Sequence, residues 1–192
     1  MALTIALVGA IGAAKVQNCM TASAEQVYKR ALSEMKREQW LTAIKLLKRE
    51  TGVLQTDWRF FWNLGWCYFK LDKFDAARRH MIRAAQLAPE NPTCKWGLGK
   101  VYLKKGNFKK AELILTESLG IKESHLTRIA LALAFLSQGK VTAAENIHLE
   151  GIRLKPMNSE GYESYAAFLS DVGREAEAQA MNKKVRKLQR VN

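Results

Sequence analysis

Residues 58–91 read WRFFWNLGWCYFKLDKFDAARRHMIRAAQLAPEN, and the same order of small, bulky and turn residues returns along the whole chain. Five alanines carry the register: Ala43, Ala77, Ala111, Ala144 and Ala178 are spaced by 34, 34, 33 and 34 residues. About twelve residues before each stands another small residue, in turn Ala31, Gly65, Gly99, Ala132 and Ala166. A bulky residue precedes each alanine by three as Trp40, Phe74, Phe108 and Val141, and only the last copy breaks this, with Glu175. Between the small and the bulky site lies a turn: Leu71-Asp72-Lys73, Lys105-Gly106-Asn107, Gln138-Gly139-Lys140 or Val172-Gly173-Arg174. Small residues at a fixed interval are what two antiparallel helices need for close approach, and a bulky side chain fills the wedge where they diverge. A period in the thirties with this pattern means stacked helical hairpins. Three prolines lie near breaks in helical periodicity, and no alternating β-branched run appears, so almost no sheet is expected.

The order of these sites resembles the tetratricopeptide repeat, a helical hairpin of roughly 34 residues. Asn63-Leu64-Gly65 with Tyr68, Phe74, Ala77, Ala84 and Pro89 is a nearly full match. The next copy keeps Leu98-Gly99, Tyr102, Gly106, Phe108 and Ala111 but has Ser118 and Glu123 where alanine and proline usually stand. The third keeps Leu131-Ala132, Phe135, Gly139, Ala144 and Pro156, with Gly151 in its second small site. The first unit is weaker, since Arg30 stands where leucine is expected. The resemblance spans about residues 24–190. It implies an all-α, right-handed superhelical solenoid of about five tandem helix-turn-helix repeats, with units at 24–57, 58–91, 92–124, 125–158 and 159–192 after an apolar segment, 1–23. The end units of such a stack need covering. The last helix is expected to do this by turning Ala178, Met181, Val185 and Leu188 inward and Lys183, Lys184, Arg186, Lys187 and Arg190 mostly outward.

Lysine and arginine outnumber aspartate and glutamate by 31 to 18 in 192 residues, a formal net charge of +13. Such a field favours acidic partners without choosing among peptide, nucleic acid and anionic lipid. Cys19, Cys67 and Cys94 are neither paired in sequence nor near histidines at zinc-ligand spacing, which argues against a disulfide framework or a metal site and fits a reducing, cytoplasmic setting. Ala2–Ala14 is apolar but too short to span a bilayer, and Lys15 follows it where a signal peptide would place basic residues before it. Two readings stay open: export or membrane association through this segment, with Ala22-Ser23-Ala24 as a cleavage site, or a natural start at Met20. His80, His125 and His148 are dispersed, and no phosphate-binding glycine loop or nucleophile elbow occurs, so no enzyme activity and no cofactor is expected.

In the family that the chain resembles, the first helix of each hairpin lines the concave groove. That geometry implies a partner-binding groove of Arg59, Trp62, Asn63, Trp66, Phe69 and Lys70, then Trp96, Lys100, Leu103 and Lys104, then Ile129 and Leu133. Trp62, Trp66 and Phe69 are spaced by four and three residues and share one helix face. On one reading these aromatics form a second apolar face, rimmed by cations and open to a ligand. On the other they are core. An aromatic and basic half followed by an aliphatic half suits an acidic and hydrophobic peptide or amphipathic helix of another protein, which makes the chain a scaffold or adaptor. The alternative partner is single-stranded nucleic acid, with Lys100, Lys104, Lys105, Lys109 and Lys110 on phosphates and the tryptophans stacking bases. One subfamily of these repeats clamps acidic chaperone tails; here Tyr28, Leu32, Thr93 and Gly97 replace its cationic and amide side chains, so that ligand is not expected.

Overall fold

The computed structural model describes residues 22–49 and 56–190. The expectations for Ala2–Ala14, Cys19 and Met20 lie outside the described residues. Among the described residues ten helices form five hairpins: α1 (Ala22–Lys36) with α2 (Trp40–Arg49), α3 (Trp58–Lys70) with α4 (Phe74–Leu87), α5 (Pro92–Lys104) with α6 (Phe108–Ile121), α7 (His125–Leu136) with α8 (Val141–Leu154), and α9 (Ser159–Asp171) with α10 (Glu175–Gln189). No strand occurs among the described residues. None of the described helices is long and apolar enough to cross a membrane.

Local chemistry sets the helix boundaries. Asp57, Asn91, Ser124 and Asn158 occupy one register and cap α3, α5, α7 and α9, each side-chain oxygen accepting from a backbone N–H two or three residues on. At the other end each first helix closes with a 6→1 bond, as in Lys73 N–H to Tyr68 O, Asn107 to Tyr102, Lys140 to Phe135 and Arg174 to Leu169. The residue before each of these donors is left-handed: Asp72, Gly106, Gly139 and Gly173 all have φ between 57° and 80°. Glycine takes that conformation without a Cβ penalty, and aspartate is one of the few other residues that does so readily.

The register alanines are all buried: Ala43, Ala77, Ala111 and Ala144 are fully inaccessible and Ala178 is 1 % exposed. Their opposite numbers Ala31, Gly65, Gly99, Ala132 and Ala166 are buried too. The bulky wedge residues fare less uniformly, because Trp40, Phe74 and Phe108 are half-buried whereas Val141 is exposed. Valine is too short to span the gap that tryptophan and phenylalanine bridge elsewhere. The last helix packs as expected, with Ala178, Val185 and Leu188 buried, Met181 half-buried and the five cations exposed.

Two departures from the repeat pattern have physical compensations. Ser118, in an alanine site, is fully buried and donates from Oγ to the Pro92 carbonyl at 2.8 Å. Glu123, in a proline site, binds Arg128 through both carboxylate oxygens at 2.5 and 2.8 Å. Arg128 is 5 % exposed and also donates to Glu150 and to the Ile147 carbonyl. A Cβ at Gly151 would stand 3.0 Å from Arg128 Cδ, so glycine there leaves room for the arginine stem.

Each first helix packs on its own second helix, and each second helix on the first helix of the next hairpin. From α3 onward the first helices also touch one another directly, α3 with α5, α5 with α7 and α7 with α9, more closely than the second helices do. The first helices therefore form the inner wall of the stack.

Candidate peptide groove

The inner wall carries one aromatic stack. Trp62 lies nearly parallel to Trp66, with centroids 5.5 Å apart and planes 6° apart. Trp66 stacks in turn on Phe69 at 5.3 Å and on Trp96 of the next hairpin at 5.5 Å. The three tryptophans are half-buried, so neither sequence reading holds in full: they pack at the edge of the core and keep part of their surface accessible. Their polar atoms are committed. Trp62 Nε1 donates to the Thr93 carbonyl at 3.2 Å and Trp96 Nε1 to the Leu126 carbonyl at 3.4 Å. Both acceptors belong to the second residue of the following first helix, so each indole ties one hairpin to the next.

Two expected groove residues are corrected. Phe69 is 8 % exposed and sits within the core cluster with Met81, Leu98 and Tyr102, because α5 covers the side of α3 that a helical projection leaves open. Asn63 is 7 % exposed and donates from Nδ2 to the Tyr28 hydroxyl at 2.7 Å, so its amide joins α3 to α1 and is not free for a ligand. Arg59 is exposed but turned onto its own capping residue, Asp57, with a shortest contact of 2.6 Å. Leu103 is half-buried against the aromatic cluster.

The remaining residues reach the surface. Ile129 is 38 % exposed and Leu133 49 %, and Leu126, one turn before them, is 59 % exposed. Lys70 and Lys104 are exposed at the ends of α3 and α5. The Lys70 ammonium lies 5.5 Å from the Trp40 ring centroid. Lys100 is half-buried, its ammonium 5.8 Å from the Phe69 centroid and 5.5 Å from that of Trp96. Burial first, and then the like charges of Lys104 and Lys70, pull the Lys100 ammonium below the ordinary lysine pKa.

Two clefts open along this wall. One, about 310 Å³, lies between Trp62, Trp96, Leu126 and the α5 and α7 N-termini. The other, about 300 Å³, is lined by Ile129, Leu133, Leu136, Ala167 and Phe168, with the buried His148 and the exposed Asp171. Both expose mainly apolar surface, although Thr93, Lys122, Glu123, Ser124 and Thr127 also line the first. The lysines assigned to phosphate contacts divide between two helices. Lys100 and Lys104 are on α5, whereas Lys109 and Lys110 are on α6, Lys110 against the Tyr102 ring, and Lys105 is paired with Asp75 at 2.6 Å.

Groups that could do chemistry are quiet. The Cys67 and Cys94 thiols are buried, and burial pushes both up to about 12, so neither is a thiolate at neutral pH. His148 is buried against Tyr165 and Phe168 with Ser164 Oγ 3.4 Å from Nδ1. Burial, with smaller contributions from His125 and Arg128, lowers its pKa to about 4. No cluster of three or more histidine, cysteine or acidic residues able to hold a metal occurs among the described residues.

Comparison with known proteins agrees with this architecture. Tetratricopeptide-repeat family patterns match residues 28–92 and 68–134, together more than half of the chain. Anaphase-promoting complex subunit 6 of Dictyostelium discoideum is 34 % identical over 70 residues, which are 36 % of this chain and only 8 % of that protein. Among solved structures, MamA from Desulfovibrio magneticus RS-1 superposes with a TM-score of 0.73 at 16 % identity, over 91 % of this chain and 99 % of that one. A thermophilic repeat protein of Thermus thermophilus gives 0.71 at 16 % identity, over 86 % and 91 %. At these identities the structural likeness speaks to the fold alone.

Proposed function

The chain belongs to the tetratricopeptide-repeat family, whose members generally mediate protein–protein interaction, and from this premise we propose that it is a non-enzymatic scaffold that captures a peptide segment of another protein on its inner wall. The observation that carries the reading is the exposed apolar strip Leu126, Ile129 and Leu133, continuous with the half-exposed tryptophan stack. One helix face bears all three aliphatic side chains, spaced by three and four residues, and each gives up apolar surface to water. Covering such a strip is worth about 25 cal/mol per Å² of apolar surface removed from water. Aromatic anchors beside it are the kind of residue that concentrates binding energy.

The test avoids the tryptophans, because they also tie hairpins together. Immobilised wild type and a Leu126→Glu/Leu133→Glu variant, shown by circular dichroism to keep its helices, are exposed to native lysate at physiological salt with and without nuclease. A protein held by wild type and lost from the variant supports the groove. Identical retention by both sinks it, and retention that nuclease abolishes transfers the function to nucleic acid.

A further inference from the structure

One repeat position at the C-terminal ends of the first helices changes charge along the inner wall: Lys36, Lys70 and Lys104, then Ser137, the residue just past α7, then Asp171. Lys100 adds a fourth cation one turn before Lys104. Elsewhere the cations of this chain are often neutralised locally, as in Lys95 with Glu117, Lys105 with Asp75, Lys140 with Glu112 and Arg174 with Glu145. Lys70, Lys100 and Lys104 have no carboxylate within ion-pair distance among the described residues. The first two rest on aromatic faces, which attract an ammonium but do not neutralise it. Lys100 is moreover half removed from water next to two like charges. A half-desolvated ammonium repelled by two exposed ones is relieved by an anion placed among the three.

Continuing along the wall from this group, the surface becomes apolar at Ile129 and Leu133 and ends at the Asp171 carboxylate on the rim of the second cleft. We propose that the wall binds an amphipathic peptide in one direction, its carboxylates among Lys70, Lys100 and Lys104, its apolar side chains on Ile129 and Leu133, and no acidic residue at Asp171. The inference rests on the peptide-groove reading and adds to it the chemistry and polarity of the ligand. A nucleic-acid strand fits the same wall poorly. Its evenly spaced phosphates would have to cross exposed leucine and isoleucine with no cation and then meet a carboxylate.

The experiment is a selection of random short peptides displayed against the full chain at physiological salt. The enriched peptides are then titrated onto wild type, Lys100→Gln/Lys104→Gln, Leu133→Glu and Asp171→Lys. The expected winners place aspartate or glutamate to one side of leucine, isoleucine or phenylalanine. Their affinity falls about tenfold or more in the double lysine variant, with a flatter salt dependence. Asp171→Lys lets peptides with acidic residues at both ends bind as well as the winners do. Winners without acidic residues, or winners indifferent to the double lysine variant, overturn the lysine subsite; if Leu133→Glu still abolishes their binding, the groove reading survives alone. No enrichment at all removes both. Single-stranded oligouridylate binding more tightly than any winner, and through the same lysines, replaces the peptide with RNA.

Discussion

Replacing Gly99 by alanine should destabilise the chain although alanine is the better helix former. An ideal Cβ on Gly99 lies 2.5 Å from Leu115 Cγ and 2.6 Å from its Cδ2, and Leu115 is fully buried in the central cluster. These are the branch and one arm of a side chain with no solvent-accessible surface, in a core cluster that also holds Ala111, Ala130 and Leu131, so a shift of Leu115 is resisted by close packing. Overpacking of this kind costs about 1–3 kcal/mol, and the contact places Gly99 in the upper half of that range. Helix propensity returns about 1 kcal/mol, which leaves a net loss of roughly 1–2 kcal/mol. Gly120 supplies the control, because it lies in the last turn of α6 and its added Cβ meets nothing within 4 Å. There the same substitution keeps only the propensity gain, at most about 1 kcal/mol. Urea unfolding followed by circular dichroism should place Gly99→Ala below wild type and Gly120→Ala at or above it, with midpoints separated by about 1 M. If Gly99→Ala unfolds at or above the wild-type midpoint, close helix approach is not the reason for the small residue, and the packing account of the repeat register fails with it.

His148 gives a pH signature. Its folded pKa of about 4 lies below the unfolded value, so between pH 6.5 and 4 the unfolded chain binds the proton and the folded chain does not. Stability is complete above that window and falls as pH drops through it, by up to about 1.4 kcal/mol per pH unit; His148→Leu should flatten this part of the urea-midpoint profile, and a parallel profile would show that the ring is not held neutral. Arg128 and Gly151 should be coupled. Arg128→Ala costs about 2 kcal/mol, less than for a fully buried pair because Glu123 and Glu150 remain 36 % and 49 % exposed, while Gly151→Ala is more favourable by up to about 1 kcal/mol in the Arg128→Ala background than in wild type. Strict additivity in the double-mutant cycle would dissociate the two positions. Trp62→Phe keeps a ring at the stack but removes the N–H donated to Thr93, and should cost about 1 kcal/mol or more in urea unfolding. Unchanged stability would mean that the indole tie between hairpins contributes nothing.

How much of this was legible in the sequence follows from which constraint acts at each position. The register alanines and their small partners answer a limit on volume, and volume is written directly in residue type, so Ala77, Gly99 and Ala144 marked the buried helix contacts from spacing alone. The caps Asp57, Asn91, Ser124 and Asn158 were not singled out in the sequence, although an N-cap is a local preference and these four recur at the repeat interval. Asn63 and Phe69 were not legible. A helical projection assigns directions around one helix, whereas burial on α3 depends on neighbours in three hairpins: α1 supplies the Tyr28 hydroxyl for Asn63, and α5 roofs over Phe69. The tryptophans fell between the two sequence readings for the same reason. Their rings lie on first helices and are half-buried, but the carbonyls that bind Nε1 of Trp62 and Trp96 come from helices whose offset is set by the stacking itself. Glu123, Arg128 and Gly151 carry the point furthest. Read singly, the glutamate departs from the repeat, the glycine merely fills a small site and the arginine belongs to no signature position. Stacked, they are one substitution in three parts: a buried guanidinium needs carboxylates to neutralise it and a missing methyl to admit its stem. In a solenoid, then, a departure from the repeat pattern is interpretable only with the residues of the adjoining helices beside it. The lysines at the ends of α3 and α5 fit the same rule from the other side, since no described neighbour supplies their counter-charge.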